Sequence, residues 1–230
     1  MNLTNNVDDE KRRIILARHG QTEWNLQYRF QGRTDIKLTE TGKCQAQALA
    51  SRLSSWPVEI VYTSPLERAY YTAEAVAKRH NLTPVILPEL EEINFASWEG
   101  ESISGLEKNQ HSVFSAWRSD PFFYPPEGAE TWEKLYARIA RAVKIFLGGD
   151  YKRIVVISHG GIIRALYAVF VGLNPHKVWN IEVSNCSMSG IEMRRGRPTL
   201  IFTNDDLHIR AGEIGEKLPV WPGENNIKAL

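Results

Sequence analysis

The stretch RIVVISHGGIIRALYAVFVGL, Arg153–Leu173, decides the fold. Ile154–Ile157 is an unbroken apolar, β-branched run, the texture of a strand buried on both faces. Ser158, His159 and the pair Gly160-Gly161 follow at once, and Gly161–Leu173 reads as a helix. A strand passing straight into a helix is the building unit of α/β proteins with parallel sheets.

The same alternation extends on both sides. Upstream, RIILA (13–17) reads as a short buried strand. LTETGKCQAQALASRLSS (38–55) carries Ala46, Leu49, Ala50 and Leu53 at i, i+3, i+4, i+7, with Thr39 as its N-cap and Trp56-Pro57 as its stop. EIVYTS (59–64) reads as a strand. SPLERAYYTAEAVAKRH (64–80) reads as a helix in which Ser64 caps, Pro65 takes the first helical position and Glu67 completes a capping box. PVILPEL (84–90) reads as a third strand. TWEKLYARIARAVKIFL (131–147) shows one apolar face, Leu135, Ile139, Ala142, Val143 and Phe146, and stops at Gly148-Gly149. Downstream, NCSMSGIEMRRGRPTLIFTN (185–204) reads as a hairpin turning at Arg195-Gly196. The expected fold is three-layer α/β/α with a mostly parallel central sheet. It is one domain over 12–210, with tails 1–11 and 211–230; in the second, Val220 and Trp221 could pack back on the body. The exception in texture, about 94–130, is rich in aromatics, glycine and proline and lacks a long period. It reads as a cap or lid insertion.

Bulk properties narrow the function. The chain has 230 residues and a formal net charge of +1, so nothing general favours nucleic acid or membrane partners. The N-terminal MNLTNNVDDEKRR lacks the apolar core of a signal peptide, and no run approaches the roughly 20 residues of a membrane span. A soluble, cytoplasmic protein is expected. The two cysteines, Cys44 and Cys186, fit neither a disulfide framework nor a zinc motif and are expected to be buried or half-buried thiols.

Chemistry collects after the strands. The first ends at Arg18-His19-Gly20. The second leads into a helix carrying Arg68 in its first turn. The third is followed by Glu91 and Glu92. The fourth ends at His159-Gly160-Gly161. Ligands of open α/β sheets bind beyond the carboxyl ends of the strands. Parallel neighbours would bring two histidines, two arginines and a carboxylate to one edge. Forked guanidinium donors suit phosphate oxygens, and a histidine can act as nucleophile. Each piece has a plainer reading: Arg68 could pair with Glu67 or Glu74 along the helix surface, and the glutamates could be solvated. No Walker-type loop, HExxH or EF-hand pattern is present.

Taken in order, LARHGQTEWN (16–25), RFQGRTDIKLTETG (29–42), YTSPLERAYYTAE (62–74), LEEINFASWEG (90–100) and SHGGIIRAL (158–166) resemble the histidine phosphatase superfamily, also called the phosphoglycerate mutase-like family. The resemblance covers about Arg13 to Asn204. It implies that His19 is the nucleophile that becomes phosphohistidine, that Arg18 and Arg68 bind the phosphoryl oxygens, that His159 holds the transferring group, and that Glu92 is the acid. Asn25 and Gln31 would add amide donors, and Thr22 and Gly160 would line the pocket. It also implies no metal and no cofactor.

EEINFASWEG lacks the NERHYG signature of mutase members and resembles the small phosphatases, among them broad-specificity and α-ribazole phosphatases. PPEGAETW resembles their PGGES element, with Glu130 in the glutamate position and Ala129 and Thr131 replacing glycine and serine. The expected activity is therefore phosphoric monoester hydrolysis of a small phosphorylated metabolite. A mutase-type phosphotransferase and a catalytically decayed binding protein are the alternatives, and a homodimer is compatible with the family. Phe95, Trp98, Phe114, Trp117, Phe122, Phe123, Tyr124 and Trp132 either form a satellite core or wall a larger substrate. His80, His111, His176 and His208 show no metal spacing and read as surface or structural.

Overall fold

The computed structural model describes residues 12–210. The expectation for Val220 and Trp221 lies outside those residues. A six-stranded sheet forms the centre, in the order β3-β2-β4-β1-β5-β6. Its strands are β1 (Arg13–Arg18), β2 (Ile60–Thr63), β3 (Val85–Ile86), β4 (Arg153–Ser158), β5 (Met188–Arg194) and β6 (Arg197–Asp205). β1, β2, β3 and β4 pair in parallel; β5 and β6 are antiparallel, joined at Arg195-Gly196 as the sequence predicts. Both turn residues have positive φ, at 50° and 76°, which suits a two-residue hairpin loop.

Side chains alternate across a strand, so the central strands β1 and β4 each feed two cores. Ile14 and Leu16 of β1 join Ile154 and Val156 of β4 in the larger core, with Leu135, Ile139, Ala142 and Phe146 of a helix spanning Trp132–Gly148. Ile15, Ala17, Val155 and Ile157 enter the other core, with Ala46, Leu49, Ala50 and Leu53 of a helix at Glu40–Leu53 and Ala69, Ala73 and Val76 of one at Glu67–Lys78. Truncating such a buried leucine to alanine costs roughly 2–5 kcal/mol. In chain order the helices are α1 (Glu23–Leu26), α2 (Glu40–Leu53), α3 (Glu67–Lys78), α4 (Ile103–Asn109), α5 (His111–Ser119), α6 (Trp132–Gly148), α7 (Gly160–Leu166) and α8 (Leu207–Arg210).

Several local expectations hold and several do not. Thr39 caps α2, its hydroxyl accepting from the Gly42 N–H at 3.0 Å. α3 departs from its expected start. It begins at Glu67 behind a Leu66 N-cap, with Ser64 and Pro65 outside it. The Ser64 hydroxyl is engaged by His159, and the Glu67 N–H is satisfied by Asp35 from a different loop, at 2.9 Å. Of 84–90 only Val85–Ile86 joins the sheet; Pro88, which has no N–H to give a ladder, opens a 3₁₀ turn to Leu90. The segment 94–130 contains α4 and α5. α7 ends at Leu166, passes into a wider π-type turn, and stops at Gly172 in the left-handed region. Cys186 is buried but Cys44 is exposed, on the outer side of α2, which corrects the expectation for that thiol. Among the described residues no helix is long and apolar enough to cross a membrane.

The loop after β1 lies directly on the first turn of α2. A Cβ at Gly42 would sit 2.1 Å from the Gln21 carbonyl oxygen, so a backbone segment would have to shift. At Gly148, near the end of α6, a Cβ would meet nothing within 4 Å. We expect Gly42→Ala to lower unfolding stability by about 1–3 kcal/mol and Gly148→Ala to raise it by roughly 0.5 kcal/mol, read from urea denaturation midpoints.

Candidate active site

The pairing of β1 with β4 sets the site. Arg18 lies opposite Ser158 in register, so His19 and His159 leave the sheet side by side at its carboxyl edge. The His19 N–H donates to the Ser158 carbonyl at 2.9 Å. The two rings stand 5.1 Å apart, with the residues 2% and 0% exposed.

The His19 ring has a defined polarity. Its Nδ1 lies 2.7 Å from the Gly20 carbonyl. A carbonyl only accepts, so Nδ1 carries the proton and Nε2 keeps its lone pair. Burial, followed by the neighbouring Arg68 and Arg18, holds this imidazole well below its ordinary range. Burial and Arg68 lead the same depression at His159. Both rings are therefore neutral at neutral pH. The His159 Nε2 meets Ser64 Oγ at 2.8 Å. That hydroxyl also accepts from the Leu66 N–H, at 3.3 Å. The His159 Nδ1 is buried with no partner among the described residues.

Two arginines are held by carbonyls rather than by carboxylates. Arg68, wholly buried, donates from Nη1 to Thr34 O at 2.8 Å and from Nη2 to Gly32 O at 2.7 Å. It does not run along the α3 surface to Glu67 or Glu74. The loop that presents those carbonyls is itself anchored by Glu99, which accepts from the N–H groups of Arg33, Thr34 and Phe95 and from the Thr34 hydroxyl, over 2.6–3.2 Å. Arg18 donates from Nη1 to Val183 O at 2.7 Å. The Nε of each arginine is buried and unpartnered among the described residues. Carbonyls orient the guanidinium groups without an ion pair, and the carboxylate that acts on both across the same space is Glu92. Burial brings Arg68 down to about 10, still protonated at neutral pH.

Glu92 faces the same space. Its carboxylate accepts from the N–H of Ile93 at 3.0 Å and of Gly161, in the first turn of α7, at 3.3 Å. A Cβ on Gly161 would strike Glu92 Oε1 at 2.6 Å, so glycine is what lets the carboxylate approach. Glu91 turns away, to Arg33 at 3.3 Å. Asn25 Oδ1 accepts from the Thr22 N–H, the Thr22 hydroxyl and Asn185 Nδ2, at 3.0–3.2 Å, which leaves its amide NH₂ as the free end.

Of the expected residues, Arg18, His19, Asn25, Gln31, Arg68, Glu92 and Gly160 line one cavity of about 240 Å³. Thr22 and His159 are buried outside its lining. Thr22 acts one step back, its hydroxyl capping α1, which carries Asn25. The cavity adds residues the sequence reading did not single out for a role. Arg164 donates to Gly160 O and Ile181 O at 3.1 Å and lies 4.8 Å over the Trp179 ring, which also lines the cavity. Arg164 falls within the SHGGIIRAL motif, one helical turn after Gly160, and that spacing is the available clue. Arg29 and Phe30 precede the GRTD loop, and no local pattern marks Trp179. Trp98, Phe114 and Phe122 are core alone, while Phe30 and Phe95, also core, and Trp117 and Trp179, packed against that core, reach the cavity. His208, half-buried, donates from Nε2 to Cys186 O at 2.9 Å, and the Cys186 N–H in turn reaches the carbonyls of Arg18 and His19. Among the described residues no three His, Cys, Asp or Glu side chains are grouped to hold a metal.

The sequence matches the histidine phosphatase superfamily (branch 1) over residues 14–206, and the chain belongs to that superfamily. It is 33% identical over 202 residues to phosphoserine phosphatase 1 of Hydrogenobacter thermophilus, covering 86% of this chain and 94% of that one. It is 31% identical over 193 residues to the adenosylcobalamin/alpha-ribazole phosphatase of Escherichia coli K12, covering 84% and 95%. Among solved structures it resembles a mycobacterial glucosyl-3-phosphoglycerate phosphatase in complex with VO₃, with TM-score 0.78, 29% identity, and 84% and 99% coverage. The protein is a phosphatase.

The depressed histidines have a consequence for stability. An unfolded imidazole titrates at about 6.5, above the folded value at His19 and His159. The unfolded state therefore binds more protons as pH falls, and stability present above that point is lost below it. We expect the urea midpoint to drop between about pH 7.5 and 5, and to drop less steeply in His159→Asn.

Proposed function

We propose that the protein hydrolyses a small phosphorylated metabolite, of the α-ribazole phosphate kind or over a broad range, through a phosphohistidine on His19. The observation that carries this reading is the His19 tautomer: a buried, neutral imidazole with its Nε2 lone pair free, in a cavity lined by Arg18 and Arg68, neither of which is hydrogen-bonded to a carboxylate. The single domain at 12–210 is read as a three-layer body, with 94–130 as the cap that closes over the substrate.

In the first step Nε2 attacks phosphorus in line. The P–O ester bond breaks, and Glu92, protonated, delivers its proton to the departing alkoxide. In the second, the Glu92 carboxylate takes a proton from water, the new hydroxyl attacks phosphorus, and the P–N bond breaks to return His19 and orthophosphate. Arg18 and Arg68 stabilise charge on the equatorial oxygens through their unpartnered N–H groups. His159, with Nε2 accepting from Ser64, keeps Nδ1–H as an unpartnered donor directly behind the lining, beside the His19 ring. Asn25 adds its free NH₂ and Gln31 its own amide. Gly160 keeps the wall beside Arg18 open. Thr22 serves indirectly, through Asn25. No cofactor takes part in these steps. The relatives are named for phosphate esters of different shapes, which supports the phosphoryl end of the cavity as the shared part.

p-Nitrophenyl phosphate hydrolysis in excess EDTA tests the reading. We expect turnover to survive chelation and to be abolished in His19→Ala. Arg18→Ala and Arg68→Ala should remain folded and each lose about 10²–10³ in kcat. An acid-labile, base-stable phosphoprotein should be trapped in rapid-quench samples of the wild type. Near-normal turnover in His19→Ala would overturn the mechanism.

A further inference from the structure

Glu92 is a loop residue, yet the loop before it is fixed by side chains at each step. Arg138 of α6, 7% exposed, donates from Nη1 to both Glu89 O and Glu91 O, at 2.8 and 2.7 Å. Between them, Leu90 O accepts from the Ser158 hydroxyl at 2.8 Å. Three consecutive carbonyls are thus gripped by two buried side chains. The rest of the Arg138 fork is locked onto Glu130, from Nε at 2.9 Å and from Nη2 at 2.5 Å. Glu130 is as buried as Arg138 and is tied to the neighbouring chain by its own N–H, which donates to Asn94 O at 2.9 Å. Arg33 adds ion pairs to Glu91 and Glu130 at 3.3 and 3.6 Å.

Neither Arg138 nor Glu130 lines the cavity. A buried ion pair is weak grounds for stability, because desolvation offsets its attraction. The geometry points instead to position. A fork that must satisfy a carboxylate on one side and two carbonyls on the other has one orientation, and lysine cannot reproduce it. We propose that the Arg138–Glu130 pair is a positioning device for Glu92: it sets where the loop delivers the carboxylate, and hence the efficiency of proton transfer to the leaving alkoxide. This rests on the assignment of Glu92 as the acid. Proton delivery depends on reach, and a displacement near 1 Å can cost on the order of a hundredfold.

The test compares two substrates in the full-length enzyme. Ethyl phosphate expels a poor alkoxide that must be protonated; p-nitrophenyl phosphate expels a stable phenolate that need not be. Their kcat/KM values report events through phosphorylation of the enzyme, before the second step. Glu92→Gln serves as reference, with Arg138→Lys and Glu130→Gln as the test variants and thermal unfolding as the check on fold. We expect Glu92→Gln to depress the ethyl-to-nitrophenyl efficiency ratio by about a hundredfold and each test variant by about tenfold. Equal losses on both substrates in the test variants, or no loss, with the reference behaving as stated, would overturn the positioning role and leave the mechanism standing. An unchanged ratio in Glu92→Gln would overturn the acid assignment, and the positioning role with it. Lysine and glutamine at these sites retain polar groups for their neighbours, and the two variants perturb opposite ends of one pair. A shared change in ratio is therefore not a shared folding defect.

Discussion

The parallel ladder between β1 and β4 is the constraint on which the rest depends. Its register sets Arg18 against Ser158, and the backbone bond from His19 to the Ser158 carbonyl carries that register one residue beyond the sheet. Two residues distant in sequence thereby become ring neighbours without help from any loop. A slip of one residue would send the side chains of β1 to opposite faces, exchanging the two cores as well as dispersing the site. Fold and chemistry therefore share one specification.

Around that ladder the protein concentrates positive charge and gives it no direct carboxylate partner, although Glu92 faces the same space. Arg18 and Arg68 are aimed by the carbonyls of Val183, Gly32 and Thr34. Carboxylate partners would have held them as firmly and cancelled them. Desolvation and this charge together keep both imidazoles unprotonated, so the free nitrogen of His19 comes from the surroundings as much as from the residue. The segment before β5 completes the fixation, since the Cys186 N–H and the Asn185 side-chain amide both donate to the His19 carbonyl.

Most of the frame is legible in sequence where the signal is local. The period of Ala46, Leu49, Ala50 and Leu53, the Thr39 cap and the Arg195-Gly196 turn are each written within a few residues. The start of α3 was not legible, although Ser64-Pro65 obeys the local grammar of a helix start. Groups 95 and 32 residues away, His159 and Asp35, take over the roles that grammar assigns. The site divides the same way. Residues that follow strands are readable once the strands are. The placement of Thr22 and His159 outside the cavity lining, and the entry of Trp179 and Arg164 into it, depend on packing between distant segments. The outward face of Cys44 follows from the phase of α2, with Ala46 and Leu49 buried on the other side.

Glu99 belongs to the aromatic segment after Glu92, yet it is the anchor of the loop that aims Arg68. The part of the chain that would shape substrate choice and the part that would hold phosphate are thus one mechanical unit. Such a segment is not a detachable cassette. Transplanting it between relatives would require residues 31–34 to travel with it, or the graft would arrive with its phosphate grip loosened.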